Sequence, residues 1–163
     1  MSNTNKSILP DDESQPQIRT WIFQAKPDKY RIEDSLRIED EEFWNLNQHA
    51  KKIHKGDRVL VWISGSEAGI YAVGTVTTEP QLMPDSPQGL TYWSDKRDGL
   101  RVKPRVLVRY EMKLCDTPLL KNFLQCDPEL WDLQIIRFSR GTNFPVTEDE
   151  WKAIKAWLSS KKN

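Results

Sequence analysis

The sequence predicts an α+β protein, a curved pseudo-β-barrel of five or six strands flanked by short helices. Residues 56–79, GDRVLVWISGSEAGIYAVGTVTTE, read as two apolar strands around a small polar turn, hence an antiparallel hairpin. Gly74 falls inside the second strand, where a missing side chain marks a bulge, a tight barrel bend or the close approach of another backbone or a ligand. The chain closes on Thr147-Glu148-Asp149-Glu150, a capping box opening a helix with Trp151, Ile154, Trp157 and Leu158 at spacings of three and four.

In chain order, residues 1–18 mix Ser, Asn, Asp, Pro and Gln and contain no aromatic residue. Burial cannot offset the entropy of ordering them, so a flexible tail is expected ahead of a single domain over 19–160. Arg19 to Ala25 is a β-branched and aromatic strand ended by Lys26-Pro27-Asp28. The acidic stretch 29–42 reads as a solvated turn and a short helix, and Phe43 to His49 then crowds two rings and three amides into seven residues. The hairpin follows, with Trp62 to Ile70 as its working rim.

Prolines close the hairpin in a loop over 79–89, and Leu100 to Leu114 fits one long strand or two short ones with Pro104 at an edge or bulge. Asp116-Thr117-Pro118 suits the start of a short helix over Leu119 to Leu124, and Pro128 to Leu133 a single turn. Ile135 to Phe138 reads as a strand and Gly141 to Pro145 as a loop.

Charge points to no partner in bulk, since Lys+Arg and Asp+Glu are 24 each. Cys115 and Cys126 are too few for a disulfide scaffold and suit a reducing compartment. No apolar run reaches the ~18 residues of a membrane span and no signal peptide is evident, so a cytoplasmic protein with no membrane partner is expected. His49 and His54 lack cysteine or carboxylate partners at ligand spacing, no nucleophile with a positioned base is visible, and no Gly-rich phosphate loop is present. No catalytic residue, metal or other cofactor is therefore expected.

Trp21-Ile22-Phe23 to Lys26-Pro27-Asp28, Gly56-Asp57-Arg58-Val59-Leu60, Gly69 to Gly74, Ile135-Ile136-Arg137 and Pro145-Val146-Thr147 to Glu150-Trp151 together resemble an EVE domain, of the superfamily built on the PUA fold and related to YTH readers of methylated adenine. The resemblance spans about 19–158 and rests on the order and spacing of the pieces. It implies a PUA-like pseudo-barrel with a nucleobase pocket, and binding of DNA or RNA that carries a modified base, beside other defence-system proteins. Where many members have a Tyr and an Arg-Asn pair, this chain has Trp44-Asn45 and Asn47-Gln48-His49, and where they have Ser-Val-Ser it has Thr142-Asn143-Phe144.

The expected pocket therefore comprises Trp21, Lys26, Trp44, Asn45, Gln48, Trp62, Ser64, Gly65, Ile70, Asn143 and Phe144. Rings that stack on an unstacked base and amides that bond its Watson–Crick edge are the chemistry of such reading. The alternative for Phe43 and Trp44 is a helix start packed in the core, with the amides capping backbone. Extruding a base costs a few kcal/mol and stacking returns ~1–3 kcal/mol, so backbone contacts must add to the pocket. Lys51, Lys52, Arg97, Arg101, Arg105, Arg137 and Arg140 are the expected phosphate contacts, against the reading that a strand alternates Arg outward and Val inward for solubility. A buried methyl is worth only ~0.8 kcal/mol, so selectivity falls to the amides of Asn45, Gln48 and Asn143 and affinity to the Trp rings. Two rival functions stand beside this one: a protein-interaction or small-molecule module using the same apolar groove, and an enzyme that processes nucleic acid.

Overall fold

The computed structural model describes residues 17–162, so all but the last two residues of the expected tail lie outside it. Eight strands form one sheet: β1 (Thr20–Ala25), β2 (Glu41–Asn45), β3 (Arg58–Ile63), β4 (Gly69–Val76), β5 (Gln81–Met83), β6 (Lys103–Lys113), β7 (Leu119–Leu120) and β8 (Asn143–Val146). The main path runs β2-β6-β4-β3-β1-β8, with β5 added to β6 and β7 to β4. The helices are α1 (Ile32–Ile38), α2 (Pro87–Leu90), α3 (Lys96–Leu100), α4 (Lys121–Gln125), α5 (Gln134–Arg137) and α6 (Glu148–Lys162).

The predicted hairpin is β3-β4, antiparallel with Arg58 opposite Thr75. Gly74 sits where the β4-β6 register shifts, and a Cβ there would lie 2.5 Å from the Arg109 carbonyl oxygen. The missing side chain thus marks a bulge with a close backbone approach. β1 runs parallel to β3 in the register Thr20–Arg58 to Ala25–Ile63, and β8 pairs antiparallel with the other edge of β1.

Both faces of the sheet are covered, which explains why its central strands lack a polar face. On one face Trp21, Phe23, Val59, Val61 and Ile63 pack with Ile32 and Leu36 of α1 and with Trp44, Val106 and Tyr110. On the other, Ile22, Leu60, Trp62 and Ile70 pack with Trp151, Ile154 and Leu158 of α6. Each such side chain contributes roughly 1.5–3 kcal/mol relative to exposure. The capping box forms as predicted: Thr147 N–H donates to Glu150 Oε1 (2.9 Å) and Glu150 N–H to Thr147 Oγ1 (3.1 Å).

Four local expectations are corrected. Phe43 and Trp44 lie on strand β2 rather than at a helix start, because β2 pairs along β6 from Glu41–Arg109 to Asn45–Arg105. Ile135 to Phe138 is not a strand: Gln134–Arg137 makes a single helical turn with buried Ile135, as tertiary context overrides β-propensity. Asn143 to Pro145 is strand rather than loop, with Pro145 tolerated because β8 is an edge. Leu119 and Leu120 form the short strand β7 before the helix begins at Lys121.

Candidate functional site

β2 and β8 stand at the two ends of the sheet path, and among the described residues no strand joins them. Side-chain amides bridge the gap instead. Asn143, only 2% exposed at the start of β8, accepts at Oδ1 from the backbone N–H of Asn47 (2.8 Å) and Gln48 (3.1 Å), and its Nδ2 donates to the Asn45 carbonyl (3.1 Å). Gln48 answers from the other side, its Oε1 accepting from Thr142 N–H (2.8 Å) and Asn143 N–H (3.0 Å). Asn47 Nδ2 donates to Thr142 Oγ1 (2.7 Å). The dense cluster of amides is thus first a seam.

Beside this seam lies a cavity of about 410 Å³, within the size range of small-molecule sites. Gln24 and Ala25 line it at the end of β1, and Lys26, Lys29 and Tyr30 from the turn that follows. β2 supplies Glu42, Phe43, Trp44 and Asn45, and the seam supplies Asn47, Gln48, Gly141 and Thr142. Asp85, Trp93, Asp98, Arg101 and Lys103 complete the wall. Tyr30 and Trp93 meet edge to face at 5.1 Å between ring centroids.

Two buried carboxylates stand in this wall. Glu42 accepts from the hydroxyls of Tyr30 (2.5 Å), Tyr110 (2.7 Å) and Ser35 (2.9 Å), and Tyr110 in turn accepts from Trp44 Nε1–H (2.9 Å). Asp85 accepts from Trp93 Nε1–H and from Ser86 N–H, both at 2.7 Å. Burial pushes both carboxyls above their ordinary range, although their hydrogen-bond donors pull the other way. Burial and the Glu42 carboxylate together raise the phenols of Tyr30 and Tyr110.

Arg105 organises the far wall. It is 1% exposed, with Nε donating to Met83 O (2.9 Å) and Nη2 to Arg101 O (2.9 Å) and Gly99 O (3.2 Å), while Nη1 donates to Asn45 Oδ1. That last bond fixes the Asn45 amide and leaves its Nδ2 without a protein acceptor among the described residues. Gln24, 6% exposed, is the converse: its Nε2 donates to Ser139 O (3.0 Å) and Gly141 O (2.8 Å), and no described residue donates to its Oε1. Gln48 Nε2 likewise has no acceptor among the described residues, so the side-chain amides lining the cavity offer two spare donors, Asn45 Nδ2 and Gln48 Nε2, and one spare acceptor, Gln24 Oε1.

Of the predicted pocket residues, Lys26, Trp44, Asn45 and Gln48 line the cavity. Trp62, Ile70 and Phe144 do not, because strand alternation turns them to the face beneath α6. Trp21 also stays out. Its indole N–H donates to buried Asp57 (2.9 Å), and the ring borders a separate groove of about 320 Å³ with His49 and Lys52. Ser64 bonds back to the Ala25 carbonyl and Gly65 holds the hairpin turn at φ +123°, both beyond the lining. Asn143 braces the wall without facing the cavity, and Gln48 Oε1 is likewise occupied.

Among the predicted phosphate contacts, Arg101 lines the cavity, 3.9 Å from Asp98. Arg105 takes the face opposite Val106 and Val108, as the alternation requires, but is buried rather than in solvent, because the carbonyls of Met83, Gly99 and Arg101 close over its guanidinium. Arg97 is paired with Asp95, and Arg137, at the end of α5, with Asp132 before it. Lys51 and Arg140 are exposed beside the seam, and Lys52 lies in the second groove, with Trp21.

The reading from sequence missed Tyr30, Glu42, Asp85 and Trp93. An adjacent Tyr92-Trp93 pair after a proline-rich loop, outside any strand periodicity, was the available signal. Among the described residues no group of three His, Cys, Asp or Glu is placed to hold a metal, and no helix is long and apolar enough to cross a membrane.

The EVE domain family model matches residues 19–157. Among curated proteins none matches the chain. Among solved structures, a hypothetical protein from Leishmania major is similar with a TM-score of 0.68 and 19% identity, over 90% of this chain and 98% of that one. A protein from Pseudomonas syringae gives 0.61 and 22%, over 85% and 98%. The human THYN1 protein, in complex with 5-methylcytosine containing DNA, gives 0.60 and 15%, over 85% and 96%. At these identities the likeness is one of fold, and the fold is the PUA-like one that the sequence resemblance implies.

Proposed function

Because the chain belongs to the EVE domain family, we propose that it binds nucleic acid without catalysis and takes one modified base, extruded from its strand, into the 410 Å³ cavity. The observation that carries this is the cavity's chemistry. Aromatic walls from Trp93, Tyr30 and Phe43 adjoin a spare donor, Asn45 Nδ2, and a spare acceptor, Gln24 Oε1. A flat, amphipathic ligand with donors and acceptors on its edge fits that inventory, and a base outside its stack is such a ligand.

Lys26, Lys29, Arg101 and Lys103 at the cavity suit the flanking phosphates. Lys26 and Lys29 are exposed and have no ion-pair partner among the described residues. The THYN1 complex supports DNA with 5-methylcytosine as the first ligand to try. RNA and defence-system partners are further arms of the same reading, and the two free cysteines suit a cytoplasmic setting.

The test is an anisotropy titration of a labelled duplex carrying one 5-methylcytosine, and of its unmodified twin, at about 50 and 200 mM salt. The proposal expects measurable binding that weakens steeply with salt, and a loss of roughly tenfold on Trp93→Ala, the worth of one stacked base. Absence of binding to either duplex and to the corresponding RNA would overturn it.

A further inference from the structure

We infer that Leu100 and Val102 form an apolar wedge that enters a DNA duplex beside the cavity and fills the space left when a base is drawn out; this rests on the reading of the cavity as a base pocket. Leu100 is 54% exposed and Val102 66% exposed. They flank Arg101, and Asp98, Arg101 and Lys103 of the same segment line the cavity. Two aliphatic side chains therefore stand in water on the segment that lines the site.

They cannot fold back to hide. The buried Arg105 guanidinium grips the carbonyls of Gly99 (3.2 Å) and Arg101 (2.9 Å), on either side of Leu100, and Asp85 N–H also donates to Gly99 O (2.8 Å). Gly99 itself is pressed against Trp93: a Cβ there would lie 2.6 Å from the ring's Cδ1. Through its Nη1 the same guanidinium holds Asn45 in the cavity wall. The projecting tip and the pocket are thus one rigid unit, with its apolar groups aimed outward and a positive charge, Arg101, between them.

Such a tip has a natural counterpart. Extruding a base leaves the faces of its two neighbours unstacked and open to water, and an apolar side chain inserted there restores the lost burial. The adjacent Arg101 and Lys103 match the phosphates on either side. A single strand has no such gap, so the wedge acts on duplex only.

The experiment compares wild type, Leu100→Ala with Val102→Ala, Leu100→Phe, and Trp93→Ala on a duplex carrying one 5-methylcytosine and on the same strand alone. A 2-aminopurine next to the modified base reports unstacking. The double variant is expected to lose roughly tenfold in duplex affinity and most of the fluorescence rise, with single-strand affinity unchanged. Leu100→Phe keeps both, and melting curves confirm that these surface changes leave the fold intact. Equal affinity of wild type and the double variant for duplex, or equal losses on duplex and single strand, overturns the wedge. If Trp93→Ala still weakens both ligands in that case, the pocket reading survives. If wild type binds neither ligand the wedge falls, and the pocket reading falls with it when the corresponding RNA is not bound either.

Discussion

Replacing Asn143 by Ala removes three hydrogen bonds that join β8 to the end of β2 and the segment after it, two accepted by Oδ1 and one donated by Nδ2. Each is worth about 1 kcal/mol net, and stranding buried donors costs more. Asn47 and Gln48 are exposed, however, and water takes over part of the debt to their N–H groups. The net loss is about 2 kcal/mol, or about 4–8 °C in melting temperature for a chain of this length. The assay is thermal unfolding by circular dichroism, with Gln48→Ala and the double variant completing a cycle. Both residues serve one seam, so the double variant should lose less than the sum by about 0.5 kcal/mol or more. Asn143→Ala melting with wild type, or strictly additive losses, would refute the claim that these amides close the sheet.

Further outcomes concern the cavity. Asn45→Asp turns the spare donor into an acceptor while keeping the partner of Arg105, so affinity for the preferred base should fall about tenfold or more with little change in melting; the anisotropy titration reads this. Lys26→Ala and Lys29→Ala should each lower the slope of log affinity against log salt by about one and weaken modified and unmodified ligands alike. Glu42 gives a pH signature. Its folded pKa lies above the unfolded value, so its cost is absent below the unfolded pKa and grows as pH rises through the folded one. Glu42→Gln should therefore flatten the fall in stability on raising pH from the ordinary carboxylate range, as measured by urea midpoints; an unchanged slope contradicts it.

Local patterns were readable from the sequence; long-range closure was not. The β3-β4 hairpin, the Gly74 bulge and the Thr147–Glu150 capping box depend on neighbours in the chain, and each appears where the residues place it. The β8-to-β2 seam joins residues nearly a hundred positions apart, so Asn143 looked like a reader of a base when its amide is spent on backbone, as is the Oε1 of Gln48. Arg105 keeps the alternation with Val106 yet is buried, because the carbonyls of Met83, Gly99 and Arg101, outside its strand, close over it. Trp62 went the other way: alternation along β3 already separated it from Val61 and Ile63, and α6 claims its face. Tyr30 and Trp93 reach the cavity through a lone bridge between two loops, which no periodicity announces.

The central claim is that a base is held between Trp93, Asn45 and Gln24. Titrating nitrogen-15-labelled protein with a strand containing one 5-methylcytosine tests it without altering the chain. The account predicts shifts at the Trp93 indole and at the Asn45 and Gln24 side-chain amides, with the indoles of Trp62 and Trp151 unmoved beneath α6. Binding that leaves those three signals in place and moves the α6 face instead would contradict it.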